Sequence, residues 1–250
     1  MKMVPRTLFC GALALASLCI AAAEVRVVST VAARSTLEEL KPLFERATSH
    51  KLELVFGTAV PLKRRIDGGE TFDIAILTPA LVDDLAKSGK IDGGSKLDFA
   101  RSGIALAGRT DGPKPDISTP EKLRKTLAAA GGISYTKEGQ SGVAAAKVIE
   151  RLGLTDELKP RTIVETRSGG SLLVIVEGKV DYGFAIATEI IGNPDVAFIG
   201  PMPAELQSYM VLTAAASSSA KEAGAARAFI EFLRSDAARA VMQRKGMEGL

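Results

Sequence analysis

Three features predict an α/β chain of two lobes, each a parallel-rich sheet flanked by helices. Strand-like and helix-like segments alternate along its length, Gly/Pro stretches interrupt them at two places, and four strand-to-helix loops share one composition. The apolar run at residues 25–28 (VRVV) is the first strand. Leu37, Leu40, Leu43 and Phe44 then recur at helical spacing. Ser35 or Thr36 is the expected N-cap, with Glu38 and Glu39 in the first turn, where the helix dipole favours acid. Residues 51–56 (KLELVF) alternate as a strand, and Pro61 is expected at the first position of the next helix, which Gly68-Gly69 ends. Residues 72–77 form a buried strand, 79–88 a helix closed by Gly89, and 99–107 another strand.

Gly112 to Asp116 reads as a linker, and a second set begins beyond it. Ser118 or Thr119 caps a helix over 120–130, Gly131-Gly132 stops it, and a strand covers 133–136. A loop at 137–142, a helix at 143–152, a strand at 161–165, a loop at 166–171 and a helix at 172–177 follow. Residues 182–187 form a buried strand, 188–191 are helix-like, and 196–199 lead to a second crossing at Gly200 to Pro203. The tail holds a strand at 209–214 and a helix from about 219 to 232, continued over 236–245 after a break at Ser235. Two linkers between two α/β sets imply one discontinuous lobe, residues 24–108 with 201–250, and a second lobe, residues 109–200.

Residues 1–23 stand apart. Lys2 and Arg6 make a positive start, residues 8–20 are apolar, and Ala21 to Ala23 offer a small-residue cleavage site, so an export signal removed near Ala23 is expected. The run is short of the ~20 residues of a spanning helix. A lipid anchor on Cys19 is disfavoured by the bulky Leu18 before it. Both cysteines, Cys10 and Cys19, lie in the removed segment, so the exported chain carries no thiol. Loss of Lys2 and Arg6 lowers the formal net charge of +3 by two, which suggests no broad attraction to nucleic acid or to acidic membranes.

The four loops, 29–35, 57–60, 137–142 and 166–171, each run from a strand through Gly, Ser, Thr or Ala into a helix start. In parallel α/β sheets such loops gather at the carboxyl ends of the strands, where ligands bind. The first amides of a helix have no partner inside it, so the loops point to an anion. Other chemistries are poorly supplied. His50 is the only histidine and falls in a turn away from all four loops, where a surface role is expected. No Ser-His or Cys-His pair and no His-rich metal site can form, and neither Gly-x-Gly-x-x-Gly nor the Gly-x-x-x-x-Gly-Lys pattern is present. Lys63 to Arg65 and Asp83-Asp84 read as solvated helix faces, and Tyr182 and Phe184 as core or cleft wall.

The segments VRVVSTVAARSTLEELKPLFERAT, VFGTAVPLKRRIDGGETFDIAIL, SGVAAAKVIERLGL and VEGKVDYGFAIATE make the chain resemble the periplasmic substrate-binding proteins of ABC transporters. The similarity is to the molybdate-type (type II) group, in a divergent branch that includes aconitate-isomerase-like proteins. That resemblance implies a two-lobed periplasmic-binding-protein-like fold, a small anion in the interlobe cleft, an ABC permease as partner, a monomer and no cofactor. It also places Ala32, Ala59 and Ile186 where molybdate binders carry hydroxyl ligands, with backbone donors at Ser141 and Gly169. Loss of three hydroxyls argues against a small tetrahedral oxyanion. Arg34, Arg167 and Lys137 have been gained in the loops. Together with Thr30, Thr58, Gly142 and Ser168, they suit an organic di- or tricarboxylate, because guanidinium forks match carboxylates. The alternative on the same scaffold is an aconitate isomerase, with Arg34 and Arg167 as clamps and Glu138, Glu165, Lys137 or Tyr135 as the base.

Overall fold

The structure, a computed structural model, describes residues 22–137, 139–167 and 169–250. Candidate residues Glu138 and Ser168, and the expected signal through residue 21, lie outside it. The described chain forms one mixed sheet, in which the strands lie in the order Lys51–Gly57, Glu24–Thr30, Ile74–Leu77, Tyr209–Ala216, Leu97–Arg109, Tyr182–Ile186, Ile133–Thr136 and Thr162–Glu165, with helices on both faces. In one half, β1 (Glu24–Thr30) pairs in parallel with both β2 (Lys51–Gly57) and β3 (Ile74–Leu77). In the other, β5 (Ile133–Thr136) pairs in parallel with both β6 (Thr162–Glu165) and β7 (Tyr182–Ile186).

The halves meet through antiparallel strands. β4 (Leu97–Arg109) pairs antiparallel with β9 (Tyr209–Ala216) over residues 97–103 and with β7 over 104–108. β8 (Val196–Pro201) and the short β10 (Glu248–Gly249) also pair antiparallel with β4, and β3 runs antiparallel to β9. The parallel pairing read from the order of elements therefore holds within each half and reverses where they join. At that join the Gln207 side chain brackets one residue. Its Oε1 accepts the Ile104 N–H at 2.9 Å, and its Nε2 donates to the Ile104 carbonyl at 3.2 Å. Gln207→Ala should lower stability by about 1–2 kcal/mol, measured as a shift in the urea midpoint.

Burial follows the patterning. β1 is buried at five of its seven residues, Val25 and Val27 to Thr30, as a strand covered on both faces must be. Helix α1 (Arg34–Thr48) turns Leu37, Leu40 and Phe44 inward, where Phe44 meets Phe229 edge-on at 5.0 Å. On this face one core runs through both halves, from Leu37 and Phe229 to Val148 and Tyr182. On the opposite face there are two cores. One lies under α2 (Ala59–Asp67) and α3 (Pro79–Lys87), the other under α7 (Gly170–Val176) and α8 (Ala187–Ile191).

Several local expectations are corrected. α1 is preceded by a 3-10 turn over Val31–Ala33 and has Ala33 as its N-cap, so Ser35 and Thr36 lie inside the helix and Glu38 and Glu39 beyond its first turn. Thr36 is buried and reaches Met247 Sδ at 3.6 Å instead of capping. α2 starts at Ala59, which makes Pro61 its third residue, where the missing N–H is still unneeded. α5 (Gln140–Arg151) starts before Val143, so Ser141 and Gly142 are helical, and α7 likewise includes Ser171. His50 is buried rather than a surface residue: its Nδ1 accepts the Ala23 N–H at 3.2 Å and its ring lies 6.3 Å from that of Phe44. No described helix is long and apolar enough to cross a membrane.

Candidate functional site

Strand register collects the junctions. Thr30 lies opposite Gly57, and Ser29 opposite Ile76, so the carboxyl ends of β1, β2 and β3 are adjacent. They lead into α1, α2 and α3. In the other half, Thr136 faces Glu165 and Ser134 faces Gly183, which aligns the exits of β5, β6 and β7 into α5, α7 and α8. The two groups are in contact: α8 packs against α1 and the 31–33 turn. Gly192, just past α8, is so close to Ser35 that a Cβ there would lie 3.1 Å from the Ser35 Cβ. At α5, Gln140 Nε2 donates to the Tyr209 carbonyl at 2.8 Å and ties the first turn of that helix to β9.

None of these six helices has a side-chain cap; their N-caps are Ala33, Thr58, Thr78, Gly139, Gly169 and Ile186. By contrast, α4 (Pro120–Ala129) and α10 (Asp236–Arg244), which start elsewhere, are capped by the hydroxyls of Thr119 and Ser235. α6 (Thr155–Leu158) and α9 (Ala223–Phe232) also lack such a cap, so the absence matters only where starts converge. There, first-turn amides without a side-chain cap and the helix dipoles favour negative charge.

Two glycines shape the second group. Gly139 holds φ 105° and ψ 164°, a conformation essentially closed to other residues. Gly142 lets α5 approach so closely that a Cβ there would stand 1.7 Å from the Thr136 carbonyl oxygen. Its role is therefore close backbone approach, which seats the first turn of α5 over the end of β5.

The other anticipated residues divide by environment. Thr30, Ala32, Ser141 and Ile186 are buried at their junctions, while Thr58 and Gly169 are exposed and Ala59 is half-buried. The Arg34 guanidinium is exposed, sits 4.3 Å over the Phe56 ring and lies 3.6 Å from Glu38. Arg167 is exposed and forms a two-pronged pair with Glu165, both bonds 3.0 Å long. That guanidinium holds the Glu165 carboxyl below the usual glutamate range, so at neutral pH Glu165 is an ionised partner rather than a free base. Lys137 is exposed and its amide continues the β5–β6 pairing by donating to the Glu165 carbonyl at 2.6 Å. Tyr135 packs on the core that runs through both halves.

One residue escaped the sequence reading. Glu189, the third residue of α8, turns its carboxyl back to accept the Ile186 N–H, and burial pushes its pKa up to about 7. The spacing was readable: a glutamate three residues after an N-cap is half of a capping box. Beside it, Thr188 is 1% exposed and its hydroxyl has no partner among the described residues.

Comparison with known proteins places this geometry. The family model described as "Bacterial extracellular solute-binding protein" matches residues 25–248. An aconitate isomerase from Pseudomonas sp is 31% identical, over 96% of this chain and 95% of that protein. The molybdate-binding protein ModA of Rhodobacter capsulatus is 25% identical over 98% of each. Among solved structures, the substrate binding domain of a putative molybdenum ABC transporter from Clostridium difficile superposes with a TM-score of 0.75 at 18% identity, covering 92% of this chain and all of that one. The chain belongs to the bacterial extracellular solute-binding proteins and, within them, to the ModA-like substrate-binding proteins of periplasmic-binding fold.

Proposed function

We propose that the protein is exported to the periplasm, where it captures a small organic di- or tricarboxylate between the two halves of its sheet and presents it to an ABC permease. The halves act as lobes, residues 24–108 with 201–250 and residues 109–200. The turning point lies within β4 at Gly103–Ile104, where its partner changes from β9 to β7. Removal of the signal near Ala23 is part of this reading.

The observation that carries the ligand class is the apolar character of three junction positions. Ala32 and Ile186 are buried and Ala59 half-buried, and the family resemblance puts molybdate's hydroxyl ligands at these three residues. A charged ligand's hydrogen bond contributes about 1.5–3 kcal/mol, so three missing donors weaken a small oxyanion by roughly a thousandfold or more. Arg34, at the exit of β1, supplies a guanidinium for a carboxylate, and Arg167, at the exit of β6, does so on exchanging its Glu165 partner for the ligand. Calorimetric titration should rank trans-aconitate, cis-aconitate, citrate and malonate above molybdate. Molybdate binding as tight as the carboxylates would defeat the assignment.

A second reading is favoured by two specific observations: the full-length similarity to an aconitate isomerase and the unpaired carboxyl of Glu189. In this reading the same cleft interconverts trans- and cis-aconitate. Chromatography of trans-aconitate incubated with purified protein decides it, and absence of the cis isomer removes it.

A further inference from the structure

We propose that Glu189 is the acid/base group of this site. It removes a carbon-bound proton from an unsaturated tricarboxylate held between the halves and returns a proton to the other end of the same allylic unit. The proposal rests on the isomerase reading and adds to it the residue that moves the proton.

Position comes first. α8 leaves β7 without a loop, and the Glu189 carboxyl, by accepting the Ile186 N–H, is turned toward the carboxyl end of that strand. The contacts of α8 with the 31–33 turn and of Gly192 with Ser35 set this end of α8 against the β1–α1 junction. A group placed here is offered to a guest from the line where the two sets of helix starts meet.

Availability comes next. Charged groups on the elements packed against α8 are mostly paired, Arg101 of β4 with Glu248 and Asp98 with the Thr213 hydroxyl among them. Glu38 lies by Arg34, Glu39 is bound by Arg244 and Lys245, and Arg109 on β4 is bound by Asp111. Across the junctions Glu165 is held by Arg167. Glu189 has no ion-pair partner among the described residues, and no neighbouring charge shifts it; burial alone raises it, and the Ile186 N–H partly opposes this. A carboxyl that titrates to about 7 is both a competent base and a competent acid at neutral pH, as abstraction and return each require. The Thr188 hydroxyl beside it, without a partner among the described residues, is a further polar atom with unused capacity.

The step balances without a cofactor. A methylene C–H bond breaks and its proton passes to the Glu189 carboxylate. The electron pair enters the allylic system and is spread onto a substrate carboxylate. The double bond moves by one position, and the Glu189 carboxyl, after exchanging its proton with solvent, delivers one that forms a new C–H bond at the formerly vinylic carbon. Nothing is oxidised or reduced.

The test uses trans-aconitate with the exported form of the chain in deuterated buffer. Binding is read by calorimetry, deuterium incorporation by NMR and the cis isomer by chromatography. Glu189→Gln keeps an acceptor for the Ile186 N–H. It should bind within about threefold of wild type, while exchange and turnover fall at least ~100-fold, the usual scale of general acid–base catalysis. The wild-type rate should inflect near the pKa of this carboxyl, and Glu189→Asp, which keeps the charge on a shorter arm, should keep partial turnover with a displaced inflection. Wild-type rates in Glu189→Gln overturn the assignment and leave the isomerase reading intact. If Glu189→Gln does not fold, an unaltered rate and pH profile in Glu189→Asp overturn it instead. Wild-type protein that binds trans-aconitate without exchange and without forming the cis isomer overturns both and leaves a receptor; absence of binding likewise overturns both.

Discussion

Gly142→Ala should abolish folding or lower stability by more than about 3 kcal/mol, the largest effect expected of any single methyl group in this chain. The added Cβ would stand 1.7 Å from the Thr136 oxygen and 2.8 Å from its carbonyl carbon. Both atoms belong to backbone at the end of β5, so no side chain can swing away to make room. Relief requires α5 to lift off the sheet, and that helix carries Ala145 and Val148 into the core shared by both halves. A domain of this size has roughly 5–15 kcal/mol in hand, so the loss is visible in a urea transition and in soluble yield. Gly139→Ala should cost less, about 1–3 kcal/mol, since it meets no neighbour and suffers only from its φ of 105°. A Gly142→Ala protein within 1 kcal/mol of wild type would mean that the first turn of α5 is not seated on Thr136. The convergence of helix starts would then lose its second half.

What periodicity could and could not reveal follows from its range. Leu37, Leu40 and Phe44 announce the inward face of α1, and the run before them announces β1, because each pattern is complete within a few residues. The sense of β4 is different in kind. Its partners β7, β8 and β9 lie some eighty to over one hundred residues further on, and a strand buried along most of its length reads alike in either direction. Order of elements suggested parallel pairing there, and only tertiary contact reveals the reversal at the join.

Helix starts failed for an instructive reason. Ser35, Thr36 and Pro61 read as boundary marks, yet the helices begin two or three residues before the starts these imply, at Arg34 and Ala59. Hydroxyl caps mark starts that must satisfy their own amides, as Thr119 and Ser235 do. At the converging junctions no N-cap side chain bonds to its helix, so the usual signal is missing at the starts that line the candidate site. Glu189 was hidden in the same way: in sequence, GFAIATE reads as a strand running into a short helix, and nothing local tells that its glutamate is buried without a cation.

That lack of a cation carries a thermodynamic consequence. The Glu189 pKa of about 7 in the folded protein exceeds the ordinary glutamate value of 4.5. Between those values the folded state keeps a proton that the unfolded state has released, so stability falls as pH rises. The favourable contribution of the neutral carboxyl is complete below about 4.5 and lost by about 7; above that the ionised group is simply a buried charge. Glu189→Gln stays neutral throughout. It should match wild type at pH 4.5–5 and exceed it at pH 8 by on the order of 2 kcal/mol, a value reduced from the full shift because the residue keeps some contact with solvent. In thermal melts that corresponds to about 5 °C for a chain of this length. Taking the difference between the two proteins at each pH cancels the titration of every other acid. An equal difference at pH 5 and pH 8 would show that the carboxyl titrates normally and that nothing sets it apart. A difference confined to high pH would show a chain retaining a carboxyl that weakens its resting fold, which makes sense where that carboxyl acts on a guest.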